Sequence, residues 1–357
     1  MGTDLDLQTP PATKAPSPVP RASRSWLWSL LIGLGILGLI GMVPLTGDIS
    51  DLHTWTLILM FCVLAQSWNF IGGFTGYAAF GNVAFFGIGA YSVAILLNDH
   101  QPFWLGLIVG ALIAGLFAFL LGLPVLRLKG HYFAIATLGV AEALREFSAI
   151  QNIGGPGGEV SVPFPGAGAY PTLFYVFFFA FLALALACLI ITILLTRSKF
   201  GYALVAIREN EQAAEALGIA TYRYKIAAFV LSAIPTGLAG GLYAYFASGF
   251  DPPTVFDVGI SVEMVLLTFL GGAGTILGPV IGAIIFEYGS FQLLTSGFSA
   301  HNTLLGLAIV IITIFLPQGL VRLVEALFYK PAPGAVRTNR LREGVRRVRR
   351  FIAANGI

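Results

Sequence analysis

Long apolar runs separated by short polar segments extend from Trp26 almost to Leu320. A helix needs about 20 mostly apolar residues to cross the hydrocarbon core of a bilayer. The runs therefore predict about eight to ten membrane-spanning helices. The range arises because the eighth segment is short and only a glycine-rich break separates the second from the third. The segments are 26–45, 55–71, 77–97, 103–126, 132–150, 171–196, 224–246, 258–270, 276–294 and 303–320.

The composition indicates the same class of protein. Of 357 residues, 57% are hydrophobic and 10% are charged, whereas soluble domains carry about 25% charged residues. A mean hydropathy of +0.85 leaves too few polar side chains to cover a water-exposed surface. The sequence predicts an all-α polytopic membrane protein with glycine-broken segments. Its predicted parts are a disordered cytoplasmic tail at 1–25, a transmembrane domain at 26–323 and a basic cytoplasmic tail at 324–357.

The basic residues are distributed unevenly between the two predicted sides of the membrane. All 20 except Arg145 fall on the side of the chain ends, which predicts that both termini are cytoplasmic. They are Lys14, Arg21, Arg24, Arg127, Lys129, Arg197, Lys199, Arg208, Arg223, Lys225 and those from Arg322 to Arg350. The predicted outer loops carry Asp48, Asp51, Asp99, Glu159, Asp251 and Asp257. We expect the C-terminal stretch LREGVRRVRRF to lie on anionic lipid rather than on nucleic acid.

Motifs of catalysis and nucleotide binding do not occur in the sequence. There is no GxxxxGK[ST] loop to cradle ATP phosphates, and no HExxH or GxSxG. The four histidines are scattered, and Cys62 and Cys188 lie inside apolar runs. We therefore expect no catalytic residue, no metal site and no cofactor on this chain.

The longest predicted inner loop, 197–225, contains a short capped helix. Asn210 is a favourable N-cap and Gly218 a favourable helix stop, which predicts a helix at 211–217. A helix that short needs partner or tertiary contacts to persist. Its small residues suit docking into a partner's groove, and the alternative is an amphipathic helix that lies on the membrane. The predicted docking residues are Arg208, Asn210, Glu211, Ala213, Ala214, Glu215, Leu217 and Gly218, with Ala213, Ala214 and Leu217 sharing one face.

This loop and several other stretches resemble a known family. The segment EQAAEALG is similar to the EAA-type motif of ABC importer permeases, although Gln212 breaks the strict Glu-Ala-Ala order. From about Leu57 to Leu323, the chain resembles the LivM-type permease of branched-chain amino acid importers. The resemblance rests on NFIGGFTGYAAFGNVAFFGIGAY, LRLKGHYFAIATLGVAEALREF, NIGGPGG, GGAGTILGPVIGA and LGLAIVIITIFLPQGLV.

The resemblance implies a permease subunit in the cytoplasmic (inner) membrane of a prokaryote. Its implied partners are a homologous second permease, two cytoplasmic ATP-binding subunits and a soluble substrate-binding protein. In that family, the short helix is a coupling helix that sits in a cleft of the ATPase, and ATP and Mg²⁺ bind to the partner subunits. The implied cargo is a branched-chain or other neutral amino acid, with urea or short amides as the alternative.

Glycine breaks and intramembrane polar residues mark a predicted substrate pathway. Freed backbone amides at broken helices suit a zwitterionic amino acid, and intramembrane carboxylates are commonly functional. Close helix packing remains the alternative for the glycines, and helix bracing by an i, i+3 ion pair remains the alternative for Glu142 and Arg145. The predicted pathway residues are Asn69, Gly72, Gly73, Gly76, Asn82, Glu142, Arg145, Gly271, Gly272, Gly274 and Glu287.

Two other functional classes remain open on the sequence. Glycine breaks and membrane carboxylates also fit an ion-coupled secondary transporter for a small polar solute, which would leave the capped loop helix unexplained. A channel or membrane scaffold is less favoured, because no repeated filter-like sequence stands out. Dependence of transport on ATP rather than on an ion gradient separates the first two classes.

Overall fold

The structure is a computed structural model, and it describes residues 25–45, 49–162, 170–295 and 319–320. The predicted tails and nearly all of the predicted tenth span lie outside these residues. Its α-helices are α1 Ser25–Ile40, α2 Ile49–Trp68, α3 Val83–Asn98, α4 Phe103–Val125, α5 His131–Ile150, α6 Tyr170–Arg197, α7 Lys199–Glu209, α8 Glu211–Ala216, α9 Thr221–Ala247, α10 Pro252–Val255, α11 Val258–Gly271 and α12 Gly278–Thr295. Two short strands, β1 Val160–Ser161 and β2 Gly249–Phe250, pair antiparallel.

Helices long and apolar enough to cross a membrane confirm the predicted all-α polytopic fold. In the part of the chain that the structure describes, five stretches meet this criterion. They are Ser50–Gly73, Phe103–Val125, Thr172–Arg197, Thr221–Ala247 and Pro252–Gly271. Shorter apolar helices occur at Leu31–Leu45 and Val83–Asn98. The protein is therefore a multi-pass membrane protein.

The observed helices differ from the predicted spans at the end of α1, at the starts of α2 and α3, and in the additional helix α7. Helix α2 begins at Ile49, six residues before the predicted second span, because Asp51 is favourable in a first helical turn. The predicted third span begins at Tyr77, but α3 begins only at Val83, after an irregular segment that starts at Gly76 with φ +77°. Helix α7 was not predicted, because its sequence mixes polar and apolar residues within the predicted inner loop.

Glycines bring the central helices α3, α4 and α9 into close contact. The backbones of α3 and α9 meet at Gly89 and Gly237, and the backbone of Phe86 lies against Gly240. Lipid provides no hydrophobic drive between helices, so small residues that permit dense packing stabilise such contacts. The Phe85 ring fills the space beside these contacts and meets the Phe229 ring edge to face, with centroids 5.2 Å apart.

The Gly89→Ala substitution tests this packing. A Cβ at position 89 would overlap the Gly237 carbonyl oxygen, and overpacking costs about 1–3 kcal/mol. We expect a lower unfolding temperature in detergent, measured by intrinsic fluorescence. The matched control is Gly35→Ala in α1, where an added Cβ meets no described atom within 4 Å and helix propensity improves. Equal unfolding temperatures for the two variants would contradict the packing account.

Candidate functional site

The two predicted glycine breaks meet inside the bundle. The Asn69 side chain accepts a hydrogen bond from the Gly274 amide at 2.8 Å and donates one to the Thr275 carbonyl at 3.1 Å. Asn69 is fully buried and begins a π-helical turn, Asn69–Gly73, at the end of α2. We call residues 69–76 together with 271–275 the glycine junction.

Glycine is required at the junction by close approach and by backbone conformation. A Cβ on Gly73 would overlap the Asn69 Oδ1 atom and lie 2.6 Å from the Gly274 amide nitrogen. Gly274 has φ +74°, where side chains are strained. Gly72 lies against the Trp68 ring and Gly271 against the Gly278 carbonyl, each too close for a Cβ. The junction is thus a tightly packed contact between two chain breaks far apart in sequence.

Arg208 on α7 reaches the junction from outside. Its Nη1 atom donates a hydrogen bond to the Gly73 carbonyl at 2.8 Å. Its side-chain Cγ would lie 3.1 Å from a Cβ at Gly76, and its guanidinium would collide with one at Gly274. One side chain of the predicted docking loop therefore contacts both broken segments.

The predicted capping of α8 is confirmed. The Asn210 Oδ1 atom accepts from the Ala213 amide at 3.0 Å, as a helix N-cap does. The helix ends at Ala216, one residue earlier than predicted, and Gly218 follows with φ +84°. The Ser198 hydroxyl caps the preceding helix α7 in the same way, by accepting from the Gly201 amide at 3.0 Å.

A buried ion pair attaches α8 to the bundle. Glu211 accepts from the Lys225 ammonium at 2.7 Å and from the Tyr77 hydroxyl at 2.6 Å. Lys225 also donates to the Tyr77 hydroxyl at 2.9 Å and to the Leu126 carbonyl at 3.2 Å. Its side chain is only 3% exposed, so these partners replace water. We call Tyr77, Glu211 and Lys225 the ion-pair cluster.

The Glu211 carboxyl lies outside the spanning helices and is held ionised. Burial raises its pKa, but the hydrogen bonds from Lys225 and Tyr77 and the Lys225 charge outweigh burial. The net effect is a pKa below its usual range. A second attachment comes from the Thr221 hydroxyl, which donates to the Glu215 carboxylate at 2.7 Å. Helix α8 is thereby bonded to both the start of α9 and the segment after the glycine break.

The sequence predicts that Ala213, Ala214 and Leu217 share one docking face, but the structure does not expose all three. Ala214 is buried against its own chain, whereas Ala213 is exposed and Leu217 is 82% exposed. The prediction was wrong on Ala214 because the inward face of α8 is decided by its bonds to α9, which the loop sequence does not reveal. The surface that α8 and its C-cap residue Leu217 leave open consists of Gln212, Ala213, Glu215, Ala216 and Leu217.

The remaining predicted pathway residues have partners other than the junction residues. Asn82 is buried beside Ser232, whose hydroxyl accepts from the Asn82 amide at 2.7 Å. Glu287 on α12 interacts directly with the carboxyl group of Glu263 on α11. Glu142 and Arg145 form the predicted i, i+3 ion pair on α5. The pathway residues therefore form four sets of contacts, each with its own partners.

Sequence reasoning missed Tyr77 and Lys225 as functional candidates. The sequence predicts Lys225 only as one of the basic residues on the cytoplasmic side, and it predicts Tyr77 only as the first residue of a span. The usable signal was that Lys225 lies within an otherwise apolar helical run, since a lysine there needs a partner. Its partner is Glu211. The sequence positions of the two residues could not predict this pair, because it depends on how the loop folds back.

These features define the chain as a helical membrane protein whose loop helices are bonded to a buried break in its spanning segments. A family profile described as the permease component of the branched-chain amino acid transport system matches residues 49–316. The chain belongs to this family of ABC permease subunits. The predicted resemblance is confirmed.

Individual relatives agree with the family. The chain is 32% identical over 318 residues to the high-affinity branched-chain amino acid transport system permease protein LivM of Escherichia coli, covering 81% of this chain and 74% of the relative. It is 31% identical to the Salmonella typhimurium LivM over 76% of this chain and 69% of the relative. The nucleoside ABC transporter permease NupC of Lactococcus lactis is 29% identical over 56% of this chain and 68% of its own length. No solved structure matches.

The Lys225→Met substitution tests the ion-pair cluster. Removing one partner of a buried ion pair costs about 3–5 kcal/mol, and we expect the lower end because Glu211 is 16% exposed. Unfolding by denaturant in detergent measures the loss. Lys199→Met, at an exposed position on α7, is the control. The double variant Lys225→Met with Glu211→Gln leaves no unpaired charge, so it should be more stable than Lys225→Met alone.

Acid titration provides a check on the same cluster. Because the pKa of Glu211 is lowered on folding, its stabilisation is complete above the usual value of 4.5 and is lost as the pH falls through the lowered value. The stability difference between the wild type and Glu211→Gln should be constant from neutral pH down to about 4.5, shrink as the pH falls from there to the lowered value, and change no further below it. A difference that shrinks already near neutral pH would contradict the ionised, paired assignment.

Proposed function

We propose that this chain is the membrane-spanning permease subunit of an ATP-driven importer that carries branched-chain or other neutral amino acids into the cytoplasm. Family membership and the substrate in the names of the LivM relatives support the cargo. Urea or short amides remain the alternative cargo. In this proposal the chain works in the cytoplasmic membrane of a prokaryote and catalyses no reaction itself.

One observation supports the energy coupling most directly. Leu217 at the C-cap of α8 is exposed, while the inward side of the helix is bonded through Glu211 to Tyr77 and Lys225. The adjoining helix α7 is bonded through Arg208 to Gly73 inside the glycine junction. A docking surface is thus joined by short polar contacts to a break in the spanning helices.

The proposed mechanism follows from these contacts. An ATPase subunit binds the open surface of α8, with Leu217 as its apolar anchor. When ATP brings two such subunits together, each moves its bound loop, and the loop transmits this displacement because its bonds are short and buried. Broken helices are where spanning segments change angle at low cost, so the glycine junction is the part of the bundle that responds.

The partners follow from the same proposal. A homologous second permease supplies the other half of the pathway, two cytoplasmic subunits bind ATP and Mg²⁺, and a soluble binding protein delivers the amino acid. The chain itself holds no cofactor in this scheme. Both termini and the end of the bundle that carries α7 and α8 face the cytoplasm.

Gentle purification of the tagged chain from its native membrane tests the assignment. We expect a second permease and subunits that contain a GxxxxGK[ST] loop to co-purify, and ATP to drive amino acid uptake in liposomes. Uptake that follows an ion gradient without ATP would assign the chain to secondary transport instead.

The Leu217→Asp substitution tests docking by α8. A buried apolar anchor at an interface is worth about 2 kcal/mol or more, and each 1.4 kcal/mol changes affinity about tenfold. We expect at least about a tenfold loss of ATPase binding and of uptake, with unchanged insertion and stability. Tyr202→Asp, at an exposed position on α7, is the control. Normal uptake by the Leu217 variant would remove α8 as the docking element.

The Arg208→Ala substitution separates transmission from docking. It removes the hydrogen bond to the Gly73 carbonyl without altering the exposed surface of α8. We expect ATPase subunits to bind and hydrolyse ATP normally while the number of amino acids imported per ATP falls. Arg223→Ala, an exposed arginine at the start of α9, is the control. A proportional loss of hydrolysis and uptake would show that Arg208 supports docking rather than transmission.

A further inference from the structure

Helix α3 begins inside the bundle, where hydroxyl groups of two neighbouring helices bond its first residues. The Ser232 hydroxyl of α9 accepts from the Asn82 side-chain amide at 2.7 Å. The Ser261 hydroxyl of α11 accepts from the Val83 backbone amide at 2.9 Å. Asn82, Ser232 and Ser261 are all fully buried. Three polar side chains from three helices therefore meet at the start of α3, away from water and lipid.

The side-chain oxygen of Asn82 has no hydrogen-bond donor among the described residues. Asn82 occupies the N-cap position of α3, but its own backbone is helical, with φ −62° and ψ −27°, and its side chain caps no amide. The nearby amides are already used, because Ala84 donates to the Gly81 carbonyl and Phe85 to the Asn82 carbonyl, both at 3.0 Å. Exchanging the oxygen and nitrogen of the Asn82 amide would still leave one of the two atoms without a partner.

An unpaired polar atom is costly at this place in the bundle. An amide oxygen that loses water on burial and gains no donor destabilises the fold, and neither lipid nor an apolar side chain can supply a donor. Unused hydrogen-bonding capacity lies beside Asn82. Within the described residues, the hydroxyl groups of Ser232 and Ser261 accept hydrogen bonds but donate none. The start of α3 thus offers one acceptor and two donors to a small polar molecule.

The chemistry and the packing of the site favour water over other small ligands. Water both donates and accepts, and an internal water typically makes about three hydrogen bonds, which matches one amide oxygen and two hydroxyl groups. A cation at this depth needs a counter-charge, and none of the three side chains carries one. Larger solutes are excluded by close packing around the site, because Gly81 lies against the Thr137 carbonyl of α5 and Gly87 against the Phe256 ring, each too close for a Cβ.

We infer that Asn82, Ser232 and Ser261 bind an internal water molecule, which joins the start of α3 to α9 and α11. Such a water completes the hydrogen bonding of buried polar groups and is costly to remove. The inference does not depend on the proposed function. It assigns Asn82, a predicted pathway residue, to positioning the start of α3 through water rather than to contact with the substrate.

Labelling by hydroxyl radicals tests the inference on the full chain in detergent. A brief X-ray pulse splits water, and the hydroxyl radical oxidises a nearby methionine to its sulfoxide. Met264 is the reporter, because it is fully buried and lies one helical turn after Ser261 on α11. Met60 on α2, 4% exposed, is the matched buried reference, and Met42, 59% exposed, reports radicals from outside the protein. Mass spectrometry of the peptides gives the three oxidation rates.

We expect Met264 to be oxidised severalfold faster than Met60, because an internal water releases its radical beside Met264 while both side chains are shielded from the surroundings. A radical scavenger in the buffer should slow the oxidation of Met42 far more than that of Met264. Asn82→Leu removes both polar atoms at similar side-chain volume and should lower the Met264 rate to that of Met60. Thr56→Val is the control, because this buried hydroxyl donates to a carbonyl of its own helix, and it should leave the Met264 rate unchanged.

Two outcomes would overturn the inference. Equal rates at Met264 and Met60 in the wild type would show that no water lies at the start of α3, and this comparison needs no variant. A fast Met264 that stays equally fast in a folded Asn82→Leu protein would place the water elsewhere. Folding is read in the same sample, since unfolding exposes Met60 and raises its rate toward that of Met42. If the variant unfolds, the wild-type comparison decides.

Discussion

Backbone groups inside a membrane must find partners within the protein, and this constraint shapes the centre of the bundle. Two spanning segments are interrupted by glycines, and each interruption frees amides and carbonyls that water does not reach. Asn69 bonds the Gly274 amide and the Thr275 carbonyl, and Arg208 bonds the Gly73 carbonyl. These bonds allow non-helical backbone to exist at this depth. They also fix which parts of the chain meet.

The same requirement links the loop helices to the bundle. Lys225 enters the spanning helix α9 and is stable there because Glu211, Tyr77 and the Leu126 carbonyl accept or share its protons. Glu211 is held on α8, so charge pairing determines how the loop folds back. A surface helix of six residues is marginal alone. It persists here because Glu211 on this helix pairs with the buried Lys225.

Charge is treated differently on α5. Glu142, Arg145 and Glu146 neutralise one another in part but remain partly exposed, whereas the ion-pair cluster is enclosed. The enclosed pair holds one geometry because its partners replace water, whereas the charged groups on α5 remain accessible to other partners. The two kinds of ionic contact thus differ in how firmly they fix the helices that carry them.

Local patterns in the sequence were sufficient for a large part of the fold. Apolar runs predicted α4, α6, α9 and α11 to within a few residues, because a spanning helix satisfies its own backbone and needs only length and apolarity. Asn210 and Gly218 predicted both ends of α8 closely, since capping is decided by neighbouring residues. The i, i+3 spacing of Glu142 and Arg145 predicted their ion pair for the same reason.

Contacts between distant segments were decided by the tertiary structure alone. The meeting of Gly73 with Gly274, the burial of Ala214 and the pairing of Lys225 with Glu211 depend on how helices pack. Tyr77 appeared to begin a span because the irregular segment after the glycine break is itself apolar. By itself, the sequence determined which segments are apolar enough to cross the membrane and where glycines interrupt them. Packing decided which breaks and charges meet, because small residues allow many close approaches and only the folded bundle selects among them.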